Sequence, residues 1–432
     1  MLGPPYQGYL YAYPHKTAYR PLRPRPALAD VWAGERTGAL FGYVHVPFCE
    51  MRCGFCNLFT RTRPPAEQVT VYLAQLAVQA CQVAASLPPP ARVVRGAVGG
   101  GTPTYLTAAE LETLFAAVAP LLGHGDAPLS VETSPATATP DRLAVLREHG
   151  TTRISIGVQS FLDAEAHAAG RPQRRADVDR ALAAIRASGV PVLNLDLIYG
   201  IPGQTVRSWQ ASLDAALGWA PEELYLYPLY VRPLTGLGRR GTGPEWDAQR
   251  MALYRHAVAV LGAAGYRQES MRMFRRAGAP ADPADYCCQD DGMVGLGCGA
   301  RSYTTALHYS FDYAVSVGAV RAIIDDYVGR PAADFDRAEV GFVLDATEQR
   351  RRWLLKSLLR ADGVDVAGYR DRFGTAVSAD FPQLDRLGGA GLLVDAGDRL
   401  RLSAEGLAWS DAVGPWLVPA PVRAAMGEFA LR

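Results

Sequence analysis

At residues 41–56 the sequence reads Phe-Gly-Tyr-Val-His-Val-Pro-Phe-Cys-Glu-Met-Arg-Cys-Gly-Phe-Cys, an apolar run that ends in three closely spaced cysteines. Three thiolates in the spacing CxxxCxxC can bind one face of an iron–sulfur cluster, because thiolate is the ligand that such clusters take. A [4Fe–4S] cube held only by Cys49, Cys53 and Cys56 would keep one iron open to a small molecule. A structural zinc site would need a fourth ligand nearby, for which only His45 is a candidate. The spacing therefore favours a cluster.

The composition of the chain limits its class. With 432 residues, the chain should form one large domain and a smaller one. A formal net charge of +1 gives no sign of a nucleic-acid-binding surface, and the clustered cysteines indicate a reducing compartment. We see no signal peptide and no apolar stretch that approaches the length needed to span a bilayer. We therefore expect a cytoplasmic protein that binds neither nucleic acid nor membrane.

From residue 40 onward, strand-like and helix-like segments alternate. Strands are predicted near residues 41–46, 93–98, 129–133, 153–158, 192–198 and 223–228, and helices near 66–86, 107–122, 140–149, 174–188 and 205–219. Such alternation with short connections predicts an α/β fold with a parallel sheet and right-handed crossovers. Six units make a partial (β/α)6 barrel of the TIM type, in which the chemistry sits at the C-terminal ends of the strands.

Four regions are predicted. Residues 1–39 are rich in Pro, Tyr and Arg and form an N-terminal arm, which could be disordered, although its tyrosines favour docking onto the body. Residues 40–240 form the core barrel, and residues 241–345 a less regular extension on the substrate side. Residues 346–432 begin with helices and continue into a hairpin that turns at Ala396-Gly397, a pattern that predicts a winged-helix-like domain. The near-neutral charge favours a cover for the barrel mouth over a DNA-binding role.

Polar residues lie at the ends of several predicted strands. The run Gly99-Gly-Gly-Thr-Pro103 follows the second strand and has little side-chain bulk, so a ligand can approach its backbone closely. Glu132 ends the third strand and Gln159 the fourth. In the fifth strand Asn194 and Asp196 share one face, where a ribose diol would be a suitable partner for the acid. Each of these residues alone is more simply a barrel-mouth polar residue, but together with the cysteines they indicate a cofactor pocket.

Four motifs extend this interpretation: Tyr43-Val-His-Val-Pro-Phe-Cys49, Gly99-Gly-Gly-Thr-Pro-Thr104, Gly157-Val-Gln-Ser-Phe161 and Asn194-Leu-Asp-Leu-Ile-Tyr-Gly-Ile-Pro-Gly-Gln-Thr205. With them the chain resembles, from about residue 40 to its end, the oxygen-independent coproporphyrinogen III oxidase-like branch of the radical S-adenosylmethionine superfamily. The resemblance implies a [4Fe–4S] cluster on the three cysteines and S-adenosylmethionine on its open iron. It also implies an electron donor such as flavodoxin or ferredoxin. The residues that the resemblance places around the cofactor are Tyr43, Gly100, Gly101, Thr102, Glu132, Gln159, Arg171 and Asp196, with Asp196 on the ribose.

The chain departs from this branch where the substrate is handled. True coproporphyrinogen dehydrogenases carry a fourth cysteine at the place of Leu58, and an acidic residue and a histidine within the segment that reads Ser-Met-Arg-Met at 270–273. Arg272 and its neighbours Arg267, Arg275 and Arg276 could instead face the cavity and hold propionates or another anion, or they could be solvated surface arginines. A second metal site on Cys287, Cys288 and Cys298 is conceivable but disfavoured, and Cys81 is expected in the core.

Three functions remain open at this point. The first is a radical oxidoreductase of porphyrin biosynthesis or a related pathway, which forms a 5′-deoxyadenosyl radical and acts on a tetrapyrrole-like or other anionic small molecule. The second is a radical C-methyltransferase that binds two S-adenosylmethionine molecules. The third is a haem-binding chaperone, for which His15 and His308 would be candidate ligands, although a lone histidine is more often structural.

Overall fold

A computed structural model of the chain describes residues 2–125, 127–237, 244–280 and 292–429. Its strands are β1 Arg20–Pro21, β2 Leu40–Val46, β3 Phe48–Cys49, β4 Arg61–Thr62, β5 Val93–Gly100, β6 Leu129–Thr133, β7 Thr151–Gln159, β8 Val192–Tyr199, β9 Glu223–Pro228, β10 Tyr266–Gln268, β11 Met273–Arg276, β12 Met293–Leu296, β13 Arg301–Tyr303, β14 Leu307–Ser310, β15 Val340–Val343, β16 Val364–Asp365, β17 Leu393–Asp395 and β18 Arg399–Leu402. Cys287 and Cys288 lie outside the described residues.

The helices alternate with these strands in the first half of the chain and cluster near its end. They are α1 Leu28–Trp32, α2 Ala66–Ser86, α3 Ala108–Leu122, α4 Pro140–Glu148, α5 Asp163–Ala168, α6 Arg175–Ala187, α7 Val206–Gly218, α8 Pro244–Ala263, α9 Val317–Val328, α10 Ala346–Leu358, α11 Val366–Phe373, α12 Val377–Asp380, α13 Leu384–Gly389, α14 Ala404–Ala408, α15 Ser410–Leu417 and α16 Ala420–Glu428.

The central sheet has thirteen strands in the order β1-β15-β14-β13-β12-β2-β5-β6-β7-β8-β9-β11-β10. The six strands from β2 to β9 in this order are parallel, which confirms the predicted α/β fold. A seventh parallel strand, β12, pairs with β2 on the other side. This strand was not predicted, because its four residues carry little signal and its partner lies far away in the sequence. The remaining neighbours in the sheet are antiparallel, and β1 and β10 form its two ends.

Local sequence signals set the ends of the barrel helices. Thr107 caps α3 in a capping box, since its side chain accepts from the Glu110 amide and the Glu110 carboxylate accepts from the Thr107 amide at 2.8 Å. Pro140 occupies the first position of α4. A second capping box, between Thr205 and Ser208, begins α7. Each of these signals lies within one helical turn, and the helix starts predicted near residues 107, 140 and 205 agree with the structure.

The expectation that no apolar stretch approaches the length needed to span a bilayer was wrong. Helix α2 is long and apolar enough by length and composition to cross a membrane. In this fold, however, the helix covers the sheet: its residues Tyr72, Leu73 and Leu76 are buried in the main core, and the Tyr72 hydroxyl donates to the carbonyl oxygen of His45 at 2.8 Å. Cys81, which we expected in the core, lies on the exposed face of the same helix.

A second core belongs to the C-terminal part of the chain. Leu354, Leu358, Phe381 and Leu387 are among its fully buried members, and β16, β18 and β17 form a three-stranded sheet beside the helices. The hairpin turns at Ala396-Gly397, where the Ala396 amide donates to the carbonyl of Arg399 at 2.9 Å. Helices followed by a small sheet agree with the predicted winged-helix-like unit. The boundaries assigned to the four regions remain predictions.

The N-terminal arm lies against both cores. Tyr13 is buried within the second core, where its hydroxyl bonds to Glu348 and its carbonyl accepts from Arg352 at 3.0 Å. Ala12 instead packs with Phe41 and with Met293 of β12 at the centre of the sheet. The arm therefore joins the barrel to the C-terminal unit.

The arginine segment of residues 267–276 is engaged by acids and does not present free cations to a cavity. Arg272 is 3% exposed, and its guanidinium lies 2.5 Å from the Asp411 carboxylate of α15. It also stacks 3.7 Å from the centre of the Tyr9 ring. The other three arginines have carboxylate partners as well: Arg267 with Glu269, Arg275 with Glu223 and Arg276 with Glu222. The interpretation of this segment as an anion site was therefore wrong, whereas the interpretation as solvated surface fits Arg267, whose side chain is 73% exposed, but not Arg272.

Asp411 connects three parts of the molecule. Its carboxylate also accepts from the Tyr230 hydroxyl at 2.5 Å, and its backbone carbonyl accepts from the amides of Gln7 and Gly8 in the arm at 3.3 and 3.2 Å. Sequence reasoning missed this connection because Arg272 and Asp411 lie in different units.

We predict that Arg272→Met lowers the free energy of unfolding by about 3–5 kcal/mol, because Asp411 would stay buried without its cation. The matched control is Arg267→Met, since Arg267 pairs with Glu269 but its side chain is 73% exposed; we expect a loss of roughly 0–1 kcal/mol for that change. Urea unfolding of both variants followed by far-UV circular dichroism measures the difference. Equal losses would contradict a special role for the buried pair.

Candidate radical cofactor site

The three cysteines lie in a short irregular segment directly after β2. Cys49 belongs to β3 and is buried, whereas Cys53 and Cys56 are partly accessible. The Cys56 amide donates to the Cys53 carbonyl at 3.0 Å, so a tight turn carries the last two thiols. Burial raises the pKa of the Cys49 thiol to about 12 and also raises that of Cys53. Binding to iron would therefore displace the thiol protons.

The glycine-rich run holds this segment from one side. The Gly101 amide donates to the carbonyl of Val46 and the Thr102 amide to that of Phe48, each at 2.8 Å, and the Thr102 hydroxyl lies 3.4 Å from the Cys49 sulfur. A β-carbon at Gly101 would stand 2.5 Å from the Phe48 oxygen and 3.0 Å from that sulfur. Only glycine permits this approach.

A second backbone contact holds the segment from the opposite side. The Gly54 amide donates to the Gly170 carbonyl at 3.1 Å, and the Leu237 amide donates to the Gly54 carbonyl at 2.8 Å. A β-carbon at Gly54 would lie 2.8 Å from the Ala169 oxygen. Next to this contact, the Arg171 guanidinium lies 3.9 Å from the Cys53 sulfur. Of these residues, Cys53 and Arg171 had been predicted at the site, whereas Gly54, Gly170 and Leu237 had not.

Glu132 at the end of β6 faces the interior of the barrel. Its side chain is accessible to solvent there, although protein surrounds it, and its carboxylate accepts from the Gly100 amide at 3.1 Å. Burial and the nearby Asp196 carboxylate raise the pKa of Glu132 to about 7. Gly100 itself has a φ of +113°, and a β-carbon there would lie 2.5 Å from the His45 ring. The predicted residues Gly100 and Glu132 are therefore direct neighbours.

Asp196 lies on β8 with its carboxylate bound by two neighbours. The side-chain Nδ2 of Asn194 donates to one carboxylate oxygen at 2.8 Å, and the Ser155 hydroxyl donates to the other at 3.3 Å. Burial raises the pKa of Asp196 to about 6, against the effect of these hydrogen bonds. The side-chain oxygen of Asn194, Oδ1, is buried and has no partner among the described residues. An unpartnered buried acceptor is costly, so this oxygen is suited to receive a hydrogen bond from a ligand.

Gln159 and Tyr43 complete the set of predicted residues. Gln159 has a φ of +68°, in the left-handed region that is strained for a residue with a β-carbon, and the side chain stands beside Gly157 close to Arg171. The Tyr43 hydroxyl lies 3.4 Å from the Nδ1 atom of His45. Sequence reasoning had no signal for this backbone strain.

His45 is not a fourth ligand beside the cysteines. Its Nε2 atom lies 3.0 Å from the carbonyl oxygen of Phe59, and burial lowers the pKa of the ring to about 4. Within the described ranges, no group of three His, Cys, Asp or Glu side chains is arranged to hold a single metal ion. Thiols that are too far apart to share one ion still fit a cluster, whose irons are spread over a cube. The donor set therefore suits a cluster better than zinc.

The structure thus brings the predicted residues to one end of the sheet. Those that line it are Cys49, Cys53, Cys56, Tyr43, Gly100, Gly101, Thr102, Glu132, Gln159, Arg171 and Asp196. Sequence reasoning missed Ser155, whose hydroxyl donates to Asp196. Period-two alternation along β7 could have found Ser155, which shares a face with Gly157. Nothing in the sequence indicated that Lys16 of the arm lies close enough to Cys56 for their charges to interact.

Comparisons with known proteins agree with this arrangement. Residues 43–216 match the radical SAM superfamily, and residues 344–409 match the HemN C-terminal domain. The chain therefore carries a radical SAM domain and a HemN C-terminal domain, which confirms the resemblance that its sequence predicted. The superfamily and the fold imply a [4Fe–4S] cluster and S-adenosylmethionine as cofactors.

Relatives that cover much of the chain carry different names. A protein of Bacillus subtilis described as heme chaperone HemW is 27% identical over 374 residues, which cover 84% of this chain and 95% of that protein. An oxygen-independent coproporphyrinogen III oxidase of Cereibacter sphaeroides is 31% identical over 286 residues, 61% of this chain and 62% of that protein. The solved coproporphyrinogen III oxidase HemN of Escherichia coli covers 95% of this chain and 96% of its own, with a TM-score of 0.80 and 22% identity. That likeness confirms the fold.

We predict that Gly101→Ala prevents the chain from holding a full cluster, because the added carbon would collide with the Phe48 carbonyl and the Cys49 sulfur. Iron and sulfide per chain after anaerobic reconstitution should fall to less than about half of the wild-type value. Gly38→Ala is the matched control, since a β-carbon at Gly38 would meet no atom within 4 Å. A full cluster in Gly101→Ala would contradict the close approach of the two segments.

Proposed function

We propose that this protein is a radical S-adenosylmethionine enzyme that acts on an anionic small molecule, of which a tetrapyrrole is the leading candidate. The cluster and S-adenosylmethionine supply a 5′-deoxyadenosyl radical, because one electron from the reduced cluster cleaves the bond between the sulfonium sulfur and C5′ and releases methionine. The electron comes from a reduced donor protein such as flavodoxin or ferredoxin.

One observation carries this proposal: the cysteine segment is fixed between two glycine contacts, at the strand ends where the polar residues converge. Gly101 binds the segment on one side and Gly54 anchors it on the other, which supports the assignment of Cys49, Cys53 and Cys56 as the cluster ligands. A segment held in this way gives a cluster one orientation toward the barrel interior, so a bound cofactor meets the strand ends.

The roles of the surrounding residues follow from their chemistry. The backbone of Gly100, Gly101 and Thr102 offers close approach to the amino-acid end of the cofactor, and Arg171 supplies a cation for its carboxylate. Asp196 accepts from the ribose hydroxyls, with Asn194 and Ser155 fixing its orientation. Glu132, Gln159 and Tyr43 line the rest of the pocket. The raised pKa of Glu132 suits a group that exchanges a proton near neutral pH.

A haem-binding chaperone is the second candidate, and it is favoured by the match that extends over most of a protein described as heme chaperone HemW. The contacts of the two candidate haem ligands, His308 and His15, do not suit haem binding. His308 is fully buried against the Tyr303 ring, with both nitrogens unpartnered among the described residues. His15 lies 2.9 Å from the Thr17 hydroxyl, and burial lowers its pKa to about 3. These contacts favour the enzyme.

Asp196→Ala should weaken the binding of S-adenosylmethionine at least about tenfold, since a hydrogen bond to a charged group contributes about 1.5–3 kcal/mol. The cluster content should remain unchanged. Calorimetry on the reconstituted protein measures the affinity, and Asp179→Ala serves as the control because Asp179 pairs with Arg175 on the surface of α6. The same affinity in Asp196→Ala and wild type would remove Asp196 from the pocket.

The decisive experiment incubates the reconstituted protein anaerobically with dithionite and S-adenosylmethionine, and analyses the nucleoside products. We expect 5′-deoxyadenosine from wild type and none from Cys53→Ala, whereas Cys81→Ala should behave as wild type because its thiol lies on the exposed side of α2. S-adenosylhomocysteine as a second product would indicate the C-methyltransferase. A stable haem complex without any nucleoside product would overturn the enzyme in favour of the chaperone.

A further inference from the structure

Two cations meet beside the cysteine segment, one from the N-terminal arm and one from the sheet. Arg301 of β13 donates to the Tyr11 hydroxyl at 3.0 Å and lies 5.1 Å from the centre of that ring. Lys16 places its ammonium 3.5 Å from the centre of the Tyr313 ring. Both side chains are partly accessible to solvent although protein encloses them, so they line an internal space. Lys16 is one of only two lysines in the chain.

Neither cation forms an ion pair with a carboxylate of the described residues. Lys16 and Arg301 both line one small pocket. The acid on this wall, Asp312, accepts from the Tyr313 amide at 2.8 Å. Two enclosed cations without a counter-ion repel each other and have lost part of their hydration, which costs free energy. A bound anion would remove this cost.

The pKa values of Tyr11 and Lys16 reflect this excess of positive charge. Burial raises the pKa of Tyr11, but Arg301 and Lys16 more than offset it and bring the pKa to about 8. Burial together with Arg301 lowers the pKa of Lys16 to about 8, against the effects of Tyr11 and Cys56. Lys16 is therefore close enough to Cys56 for their charges to interact. The Tyr313 hydroxyl, which donates to the Asn57 carbonyl at 2.9 Å, connects the same region to the cysteine segment.

An aromatic wall extends from these cations toward Asp196. The ring centre of Tyr11 lies 5.4 Å from that of Tyr9, Tyr9 lies 6.4 Å from Tyr227, and Tyr227 stacks on Tyr225 at 6.0 Å. Tyr227 is in turn close enough to Asp196 for that carboxylate to raise its pKa. An apolar body that leans on this wall would have one end at the cations and the other near the proposed ribose site. A single ligand would therefore supply both the anion beside the two cations and the apolar body along the tyrosine rings.

We propose that Lys16 and Arg301 bind a carboxylate of the substrate, with Tyr11 as a third hydrogen-bonding group, and that the substrate body lies along Tyr9 and Tyr227. This proposal rests on the proposed function, since it concerns the substrate of the same site. It makes the N-terminal arm a specificity element, because Tyr9, Tyr11 and Lys16 all belong to it. A guanidinium and an ammonium are the groups that pair most strongly with carboxylates.

The test measures binding to the full reconstituted chain without turnover. The probes are coproporphyrin III, which carries four carboxylates, and its tetramethyl ester, which keeps the ring system and loses the charges. The variants are Lys16→Gln, Arg301→Gln and their combination, and Lys356→Gln is the matched control because Lys356 is the other lysine of the chain. Fluorescence titration gives the affinities for both probes, and calorimetry gives the affinity for S-adenosylmethionine.

We expect each single variant to bind coproporphyrin III at least about tenfold more weakly, the loss expected for one charge-assisted hydrogen bond. Wild type and Lys356→Gln should prefer the acid to the ester, and the double variant should not. The melting temperature of Lys16→Gln without a ligand should equal or exceed that of wild type, since an unpaired enclosed cation is removed.

Three results would overturn the proposal. The first is undiminished acid binding by the double variant, and the second is a wild-type chain that does not prefer the acid. The third is a loss of affinity for S-adenosylmethionine instead of for the porphyrin, because Lys16 and Arg301 would then bind the carboxylate of the cofactor. Failure of the proposed function is distinguishable from all three, because it would appear as absent 5′-deoxyadenosine in wild type, which these titrations do not use.

Discussion

Two backbone hydrogen bonds, from Gly101 to Val46 and from Thr102 to Phe48, fix the position of the cysteine segment relative to the sheet. They form only because the backbones of neighbouring parallel strands, β2 and β5, continue beyond the sheet without a side chain between them. The Gly54–Gly170 contact adds a second anchor, which comes from the loop before α6. The site is thus an extension of the strand ends, and its geometry follows from strand register.

The substrate side is organised differently, because long-range charge pairs hold it. Arg272, Asp411 and Tyr230 form a buried cluster that joins the sheet, the C-terminal unit and the arm. Asp411 alone contributes both a carboxylate to this cluster and a carbonyl to the arm. Such pairs are costly to bury and more costly to break. Asp411 is consequently one of the residues that fix the relative positions of arm, barrel and C-terminal unit, together with Tyr13 and its partners.

The sequence predicted the barrel well because its signals are local. Alternating periods revealed the strands and helices, and cysteine spacing indicated the cluster. Strand β12 escaped because four residues do not establish a period. The arginine segment was misjudged because Arg272, Arg275 and Arg276 take their acids from other elements, as Arg272 does from α15. Lys16 escaped for the same reason: the sequence shows a tyrosine-rich arm and cannot show that Arg301 meets it.

The docking of the arm has a consequence for the order of events during synthesis. The arm is translated before the rest of the described chain, yet its partner Glu348 lies 335 residues beyond Tyr13, and Asp411 lies later still. Domains fold as they emerge from the ribosome, so the barrel can form while Tyr13 still lacks Glu348. The hydrogen bonds that hold the cysteine segment, from Gly101, Thr102 and Leu237 and to Gly170, all lie within the earlier part of the chain. The cysteine segment can therefore take its position before the C-terminal unit exists to hold the arm.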